Sequence, residues 1–211
     1  KLEDEYDVHD AFLDEKMHKA ITIMQFKLEG QLIKEHPEFE MEKRLLLDKI
    51  NIEKGTVCVE ETEYPLKDVS FPTIDWEDPY RLSEDEADVM ERLVTAFVNC
   101  EKLQRHVRFL YTQGSLYKVY NGNLLYHGCV PLNEDGTFTR VNVFGKEYAG
   151  KELYDVLEGY ARKGYYAIDP KEKKKGQDIL WFIWENQNSP VFGKAKMTTF
   201  ERYFIADKKT H

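Results

Sequence analysis

Apolar positions along the chain predict its elements in turn. Leu13, Met17, Ile21, Met24, Leu28 and Leu32 recur at three- and four-residue spacing. One stripe of this kind predicts a helix over about 10–35. A second, shorter helical stretch is expected over 39–50, with Gly30 and Pro37 as breakers. Gly55-Thr56-Val57-Cys58-Val59 is rich in β-branched residues, and Glu60 to Glu63 would turn it back into Tyr64-Pro65-Leu66 as a hairpin. Residues 69–82, with Pro72 and Pro79, read as a loop. Ser83 and Glu86 then form a capping box, in which each side chain can satisfy a free backbone N–H at a helix start. Met90, Val94, Phe97, Cys100, Leu103, Val107 and Leu110 continue from it as a stripe that Gly114 ends. One unbroken helix over 83–113 would span about 45 Å at ~1.5 Å per residue, long enough for a strut or part of an insertion.

The texture changes after Gly114. Leu116 to Tyr120 is a strand candidate, and Asn121-Gly122-Asn123 is a strong turn signal. The nearly continuous apolar run from Leu124 to Val130 predicts a buried strand. Another turn is expected at 133–136 and a strand at 138–144. Helices are expected over 151–163, 179–185 and 199–204, and the lysine-rich run 171–175 as a solvated loop. The fold class that follows is α/β in the mixed (α+β) sense, a β-sheet layer with helices. Residues 1–114 would be a mostly helical insertion with a hairpin near 55–68, and 115–211 the α/β part of a core.

Composition narrows the functional classes. Thirteen Tyr, twelve Phe and three Trp give a chain with 33% charged residues enough ring area to build a core. A formal net charge of −9 makes nucleic acid an unlikely partner; a small anionic substrate would need a local basic pocket or a metal. Cys58, Cys100 and Cys129 are scattered and odd in number, which suits reduced thiols and a cytoplasmic setting. No apolar run approaches a membrane span. The start at Lys1 without Met or signal-peptide pattern, and the end at His211, are read as cut ends.

Candidate chemistry is sparse. His127 ends an apolar strand and is followed by Gly128; its imidazole could bind a divalent metal, or be an ordinary satisfied buried histidine. Asp7-Val8-His9 spells a D-x-H metal motif but lacks the apolar strand that should precede it. Gly193-Lys194 lacks the partners of a phosphate loop, with Ala195 where Ser or Thr is needed. The wider stretch 186–194 combines amide, hydroxyl, glycine and lysine groups that could hold an anionic sugar, or form a plain surface turn. Cys129 is a conceivable nucleophile, disfavoured by the buried apolar setting expected for it.

Several segments together resemble class III fructose-1,6-bisphosphatase. They are Asn123 to Leu132, Gly30-Gln31 with Glu38-Phe39, Arg44 to Ile50, Phe71 to Asp75, Leu180-Trp181, Asn188 to Lys194 and Lys196 to Ile205. The matches run in order over nearly the whole chain, and the tract 188–205 is the most specific. The resemblance implies a bacterial, gluconeogenic, cytoplasmic enzyme of the calcineurin-like metallophosphoesterase superfamily. It implies hydrolysis of fructose 1,6-bisphosphate to fructose 6-phosphate and phosphate at a dinuclear, manganese-type centre. His127 is then expected as a metal ligand, with Asn188, Ser189, Gly193, Lys194 and Arg202 as substrate contacts. The superfamily motifs G-D-x-x-D-R, G-N-H-[DE] and the later G-H-x-x are absent from the sequence, and the family enzyme is far longer. The chain is therefore expected to be an internal fragment, inactive alone and able to form homo-oligomers. A non-catalytic reading also stands, in which residues 1–114 are an oligomerisation or effector-binding module.

Overall fold

The computed structural model describes residues 11–193 and 198–206. Among these it holds six α-helices and three small antiparallel sheets. The mixed α/β class is as expected, but the strands form separate ribbons and not one layer.

Helix α1 (Ala11–Glu35) opens the described chain. Its predicted stripe is buried only in part: Leu13, Met17 and Ile21 are exposed, while Met24 and Leu32 are covered. The second half is buried almost all round, and even Lys27 and Glu29 are completely covered. Three short 3-10 turns, Pro37–Phe39, Glu42–Arg44 and Leu47–Lys49, replace the expected second helix. They lead into a sheet of β1 (Ile50–Asn51), β2 (Thr56–Val59) and β3 (Thr62–Pro65). The β2–β3 hairpin turns through Glu60 and Glu61, both at positive φ, which suits a tight two-residue connection.

Helix α2 (Glu84–Val98) starts at the capping box read from the sequence. Glu86 does more than cap: its carboxylate also takes the Lys27 ammonium at 2.7 Å in a buried pair, which pins α2 to α1. The long helix expected over 83–113 is in fact interrupted. Asn99 caps α2, Cys100 takes an extended conformation, and α3 (Glu101–Gln113) starts afresh. Neither Gly nor Pro marks that break, so the apolar spacing runs straight through it.

Two hairpins follow. The first pairs β4 (Tyr117–Tyr120) with β5 (Asn123–Tyr126) through the Asn121-Gly122 turn. The second pairs β6 (Val141–Val143) with β7 (Lys146–Tyr148). The expectation of a buried strand over 124–130 fails, because every residue of β5 is exposed. The ribbon meets the helix Gly150–Tyr166 at its Tyr117 end, where Tyr117 packs against Tyr154 and donates to Asp155, and Leu124, Leu125 and Tyr126 stay about half exposed.

Helices α4 (Gly150–Tyr166) and α5 (Pro170–Glu185) pack closely. Their backbones touch at Gly164 and Gly176, where a Cβ on Gly176 would lie 2.1 Å from the Gly164 nitrogen. The run 171–175 is helical, with Lys171, Lys173 and Lys174 exposed and Glu172 and Lys175 partly covered, correcting the expected loop. Asp169 caps the helix by accepting from the Glu172 N–H, and Pro170 occupies the first turn, where its missing donor costs nothing. Helix α6 (Thr198–Phe204) ends the described chain.

Two cores result. The first gathers Ile23, Phe26, Val57, Phe71, Phe200 and Phe204; the second gathers Ile33, Phe39, Val141, Leu153, Leu157 and Phe182. Leu45 packs against both. Because α6 completes the first core, and Ile205 just after it is bridged to Leu66, the last described helix packs against α1 and the first sheet. A buried ion cluster ties α1 to the end of α5: the Arg44 guanidinium holds Glu29 on one side and Glu185 on the other. Burial pushes the Glu29 carboxyl up to about 8, against the pull of Arg44.

Candidate functional site

Two segments read from the sequence as separate candidates meet in space. His127-Gly128-Cys129 leaves the end of β5, and the loop 186–193 leaves the end of α5. The Cys129 N–H donates to the Pro190 carbonyl at 3.1 Å, and the Cys129 thiol reaches the Ser189 carbonyl at 3.5 Å. The Tyr154 hydroxyl, from α4, donates to the Cys129 carbonyl at 2.8 Å. Burial, then the nearby Cys129 and Tyr126, push that hydroxyl up to about 12, so it keeps its proton and remains a donor. Gly128 makes the approach possible. A Cβ there would lie 2.5 Å from the carbonyl oxygens of both Pro190 and Val191, far inside contact distance.

The loop itself is shaped by buried amide and hydroxyl groups. Asn186 is almost fully buried; its side-chain NH2 donates to the Phe39 carbonyl at 2.6 Å, and its side-chain oxygen accepts from the Asn188 N–H at 2.7 Å. Ser189 is completely buried. Its hydroxyl donates to the Ile183 carbonyl and accepts from the Val191 and Phe192 N–H groups at 3.1 and 3.2 Å. The hydroxyl expected to meet a substrate is thus spent on holding the turn, which follows from the rule that buried polar groups find partners. Gly193 sits at φ +49° beside the Cys129 sulfur. Asn188 is half-buried on the same loop.

His127 is exposed, which excludes the satisfied buried histidine left open by the sequence. Cys129 is exposed too, contrary to the apolar burial expected of it. Among the described residues no three His, Cys, Asp or Glu side chains converge as a metal cluster. One accessible imidazole fits the role of a single ligand in a shared centre, not of a complete site. Arg202, on α6, is exposed with its guanidinium 5.9 Å from the Tyr203 ring, and α6 is placed by the first core. His127 and the loop are instead placed through Tyr154, Ile183 and Val191, residues of the second core or of the helices bounding it. Lys194 and the Asp7-Val8-His9 motif lie outside the described residues. No helix among the described residues is long and apolar enough to cross a membrane.

Sequence reasoning missed Tyr154. Tyr154 reads as one more aromatic on a helical stripe, and nothing local distinguishes a core ring from one whose hydroxyl fixes a distant carbonyl.

Comparison with known proteins gives these segments a family. The model of the Firmicute fructose-1,6-bisphosphatase family matches residues 1–211. The class 3 fructose-1,6-bisphosphatase of Clostridium tetani is 55% identical over 206 residues, which is 97% of this chain and 31% of the relative. That of Clostridium botulinum (strain Langeland) is 57% identical over 203 residues, 96% of this chain and 30% of the relative. That of Clostridium acetobutylicum is 56% identical over 207 residues, 98% and 31%. The chain therefore spans about 30% of the length of the curated relatives it matches. No solved structure matches the chain. A match along the whole chain, with more than half of the residues shared, shows that the chain belongs to the Firmicute fructose-1,6-bisphosphatase family.

Proposed function

We propose that this chain is part of a phosphatase that hydrolyses fructose 1,6-bisphosphate to fructose 6-phosphate and phosphate, a step of gluconeogenesis in the bacterial cytoplasm. The observation that carries this reading, beside family membership, is the clamp between His127-Gly128-Cys129 and the loop 186–193. It holds an exposed imidazole beside a loop of donors, and both lie in tracts that resemble the family.

A dinuclear divalent centre, with manganese the expected metal, supplies an activated water and neutralises phosphate charge when bound. His127 would hold one cation through a neutral ring nitrogen. Asn188 would donate its amide to a phosphate or sugar oxygen, and Gly193 would let the backbone approach the substrate closely. Lys194 and Arg202 would add positive charge, which an anionic substrate needs in a chain of net charge −9. Ser189 would act on the substrate through the loop it shapes. The remaining ligands would come from the two-thirds of the relatives' length that this chain does not span. The test is phosphate release from fructose 1,6-bisphosphate, with manganese present, by this chain alone and by a family-length protein containing it. Turnover by the longer protein only is the expected result. Absence of turnover in both, with both folded, would refute the assignment.

A further inference from the structure

The β4–β5 ribbon has one edge beside a helix and one edge open. On the β4 side, the Ser115 hydroxyl and the Leu116 N–H donate to Glu158 at 2.6 and 2.9 Å, and the Tyr117 hydroxyl donates to Asp155 at 2.9 Å. Both carboxylates belong to α4, which therefore runs along that edge. On the β5 side, every residue from Asn121 to Cys129 is exposed.

The register fixes which backbone groups the open edge offers. Asn121 and Gly122, both at positive φ, close a two-residue turn. Tyr120 and Asn123 then exchange ladder hydrogen bonds, and so do Lys118 and Leu125. Leu124, opposite Val119, and Tyr126, opposite Tyr117, are the non-bonded pairs, so their N–H and C=O groups point away from β4. Among the described residues no backbone hydrogen bond reaches those groups. The strand is also apolar, with Leu124 and Leu125 more than half exposed. An exposed apolar edge of this kind is a template for another strand, and a ribbon of two strands is marginal by itself. His127 follows β5 directly, and among the described residues no cluster of His, Cys, Asp and Glu completes a metal site around it. The chain matches 31% of the Clostridium tetani relative's length, which leaves ample chain to supply both a strand and ligands.

We infer that, in a family-length protein, the open edge of β5 pairs with a strand from the part of the relatives' length that this chain does not span, and that this strand sets metal-ligating side chains beside His127. The ligand role rests on the phosphatase reading above; the pairing stands without it. Edge pairing between two copies of β5 is the other arrangement. Its sequence, Asn-Leu-Leu-Tyr, carries no carboxylate and would add no acidic ligand beside His127.

Hydrogen exchange in a family-length protein, read residue by residue by mass spectrometry, tests the pairing. Leu125 is the internal control, because its N–H is bonded to Lys118 within the ribbon. The expected result is that the Leu124 and Tyr126 amides exchange on the order of a hundredfold slower than in an unstructured peptide, as Leu125 does, at every protein concentration. Leu124→Pro removes one outward donor and spares the ladder to β4. It should release Tyr126 to fast exchange and weaken manganese binding about tenfold or more, while Leu124→Ala retains both. Fast exchange at Leu124 and Tyr126, whether or not Leu125 is protected, would overturn the inference. So would protection that dilution removes, which would put a second copy on the edge, or a Leu124→Pro protein in which Tyr126 stays protected. Protection without phosphate release would uphold the pairing and refute the phosphatase reading, so the two fail separately.

Discussion

Replacing Glu29 by Gln tests the buried cluster of Glu29, Arg44 and Glu185. Glu29 is fully buried, shares Arg44 with the buried Glu185, and keeps one side-chain oxygen, Oε2, without a hydrogen-bond partner. An ionised carboxylate only accepts, so an orphaned oxygen there is costly, whereas a protonated one can donate. Burial accordingly raises the Glu29 pKa from an ordinary 4.5 to about 8. The sign of the linkage follows. Between pH 4.5 and 8 the folded chain keeps a proton that the unfolded chain releases, so stability falls as pH rises and levels off above pH 8. Across the three units from pH 5 to 8, at ~1.36 kcal/mol per unit, the loss approaches about 4 kcal/mol. Acids held low by their partners, such as Glu158 beside Ser115 and Arg162, work in the opposite direction but do so below pH 5. Urea unfolding at pH 5, 6.5 and 8 should therefore show a falling midpoint in the wild-type chain. Glu29→Gln, neutral at every pH, should flatten that fall and be the more stable of the two at pH 8. A wild-type midpoint that is flat or rising over this range, or a Gln variant with the same slope, would refute the reasoning.

Two further substitutions test the packing that presents the loop. Gly176→Ala puts a methyl group into the Gly164 backbone and should cost about 3 kcal/mol or more, lowering Tm by roughly 6–12 °C by calorimetry. Ser189→Ala leaves a buried carbonyl and two amides without their partner and should cost about 1–3 kcal/mol, with faster amide hydrogen exchange at Val191 and Phe192.

Local signals foretold the elements they govern. The Ser83–Glu86 box, the Asn121-Gly122 turn and the stripe of α1 each depend on residues a few positions apart, and each is present. The start of α5 was also legible, in Asp169 and Pro170, but the lysine run behind it masked the signal. The break at Cys100 was not legible, since the same apolar spacing continues across it. Burial does not follow from the apolar run where it depends on neighbours: 124–130 implies a covered strand, yet every residue of β5 is exposed. The site was half legible. His127 and the loop 186–194 could be named, but their meeting depends on Gly128 against the Pro190 carbonyl, 62 residues away in sequence. The Glu29–Arg44–Glu185 cluster joins three distant segments and leaves no trace in any periodicity.

The shared metal centre is the central claim, and metal content tests it most directly. A family-length protein containing this chain should lose bound manganese and at least tenfold to a hundredfold of its phosphate-release rate when His127 becomes Ala, with the melting temperature of the metal-free protein nearly unchanged because the ring is exposed. Full manganese occupancy and an unaltered rate in that variant would contradict the account.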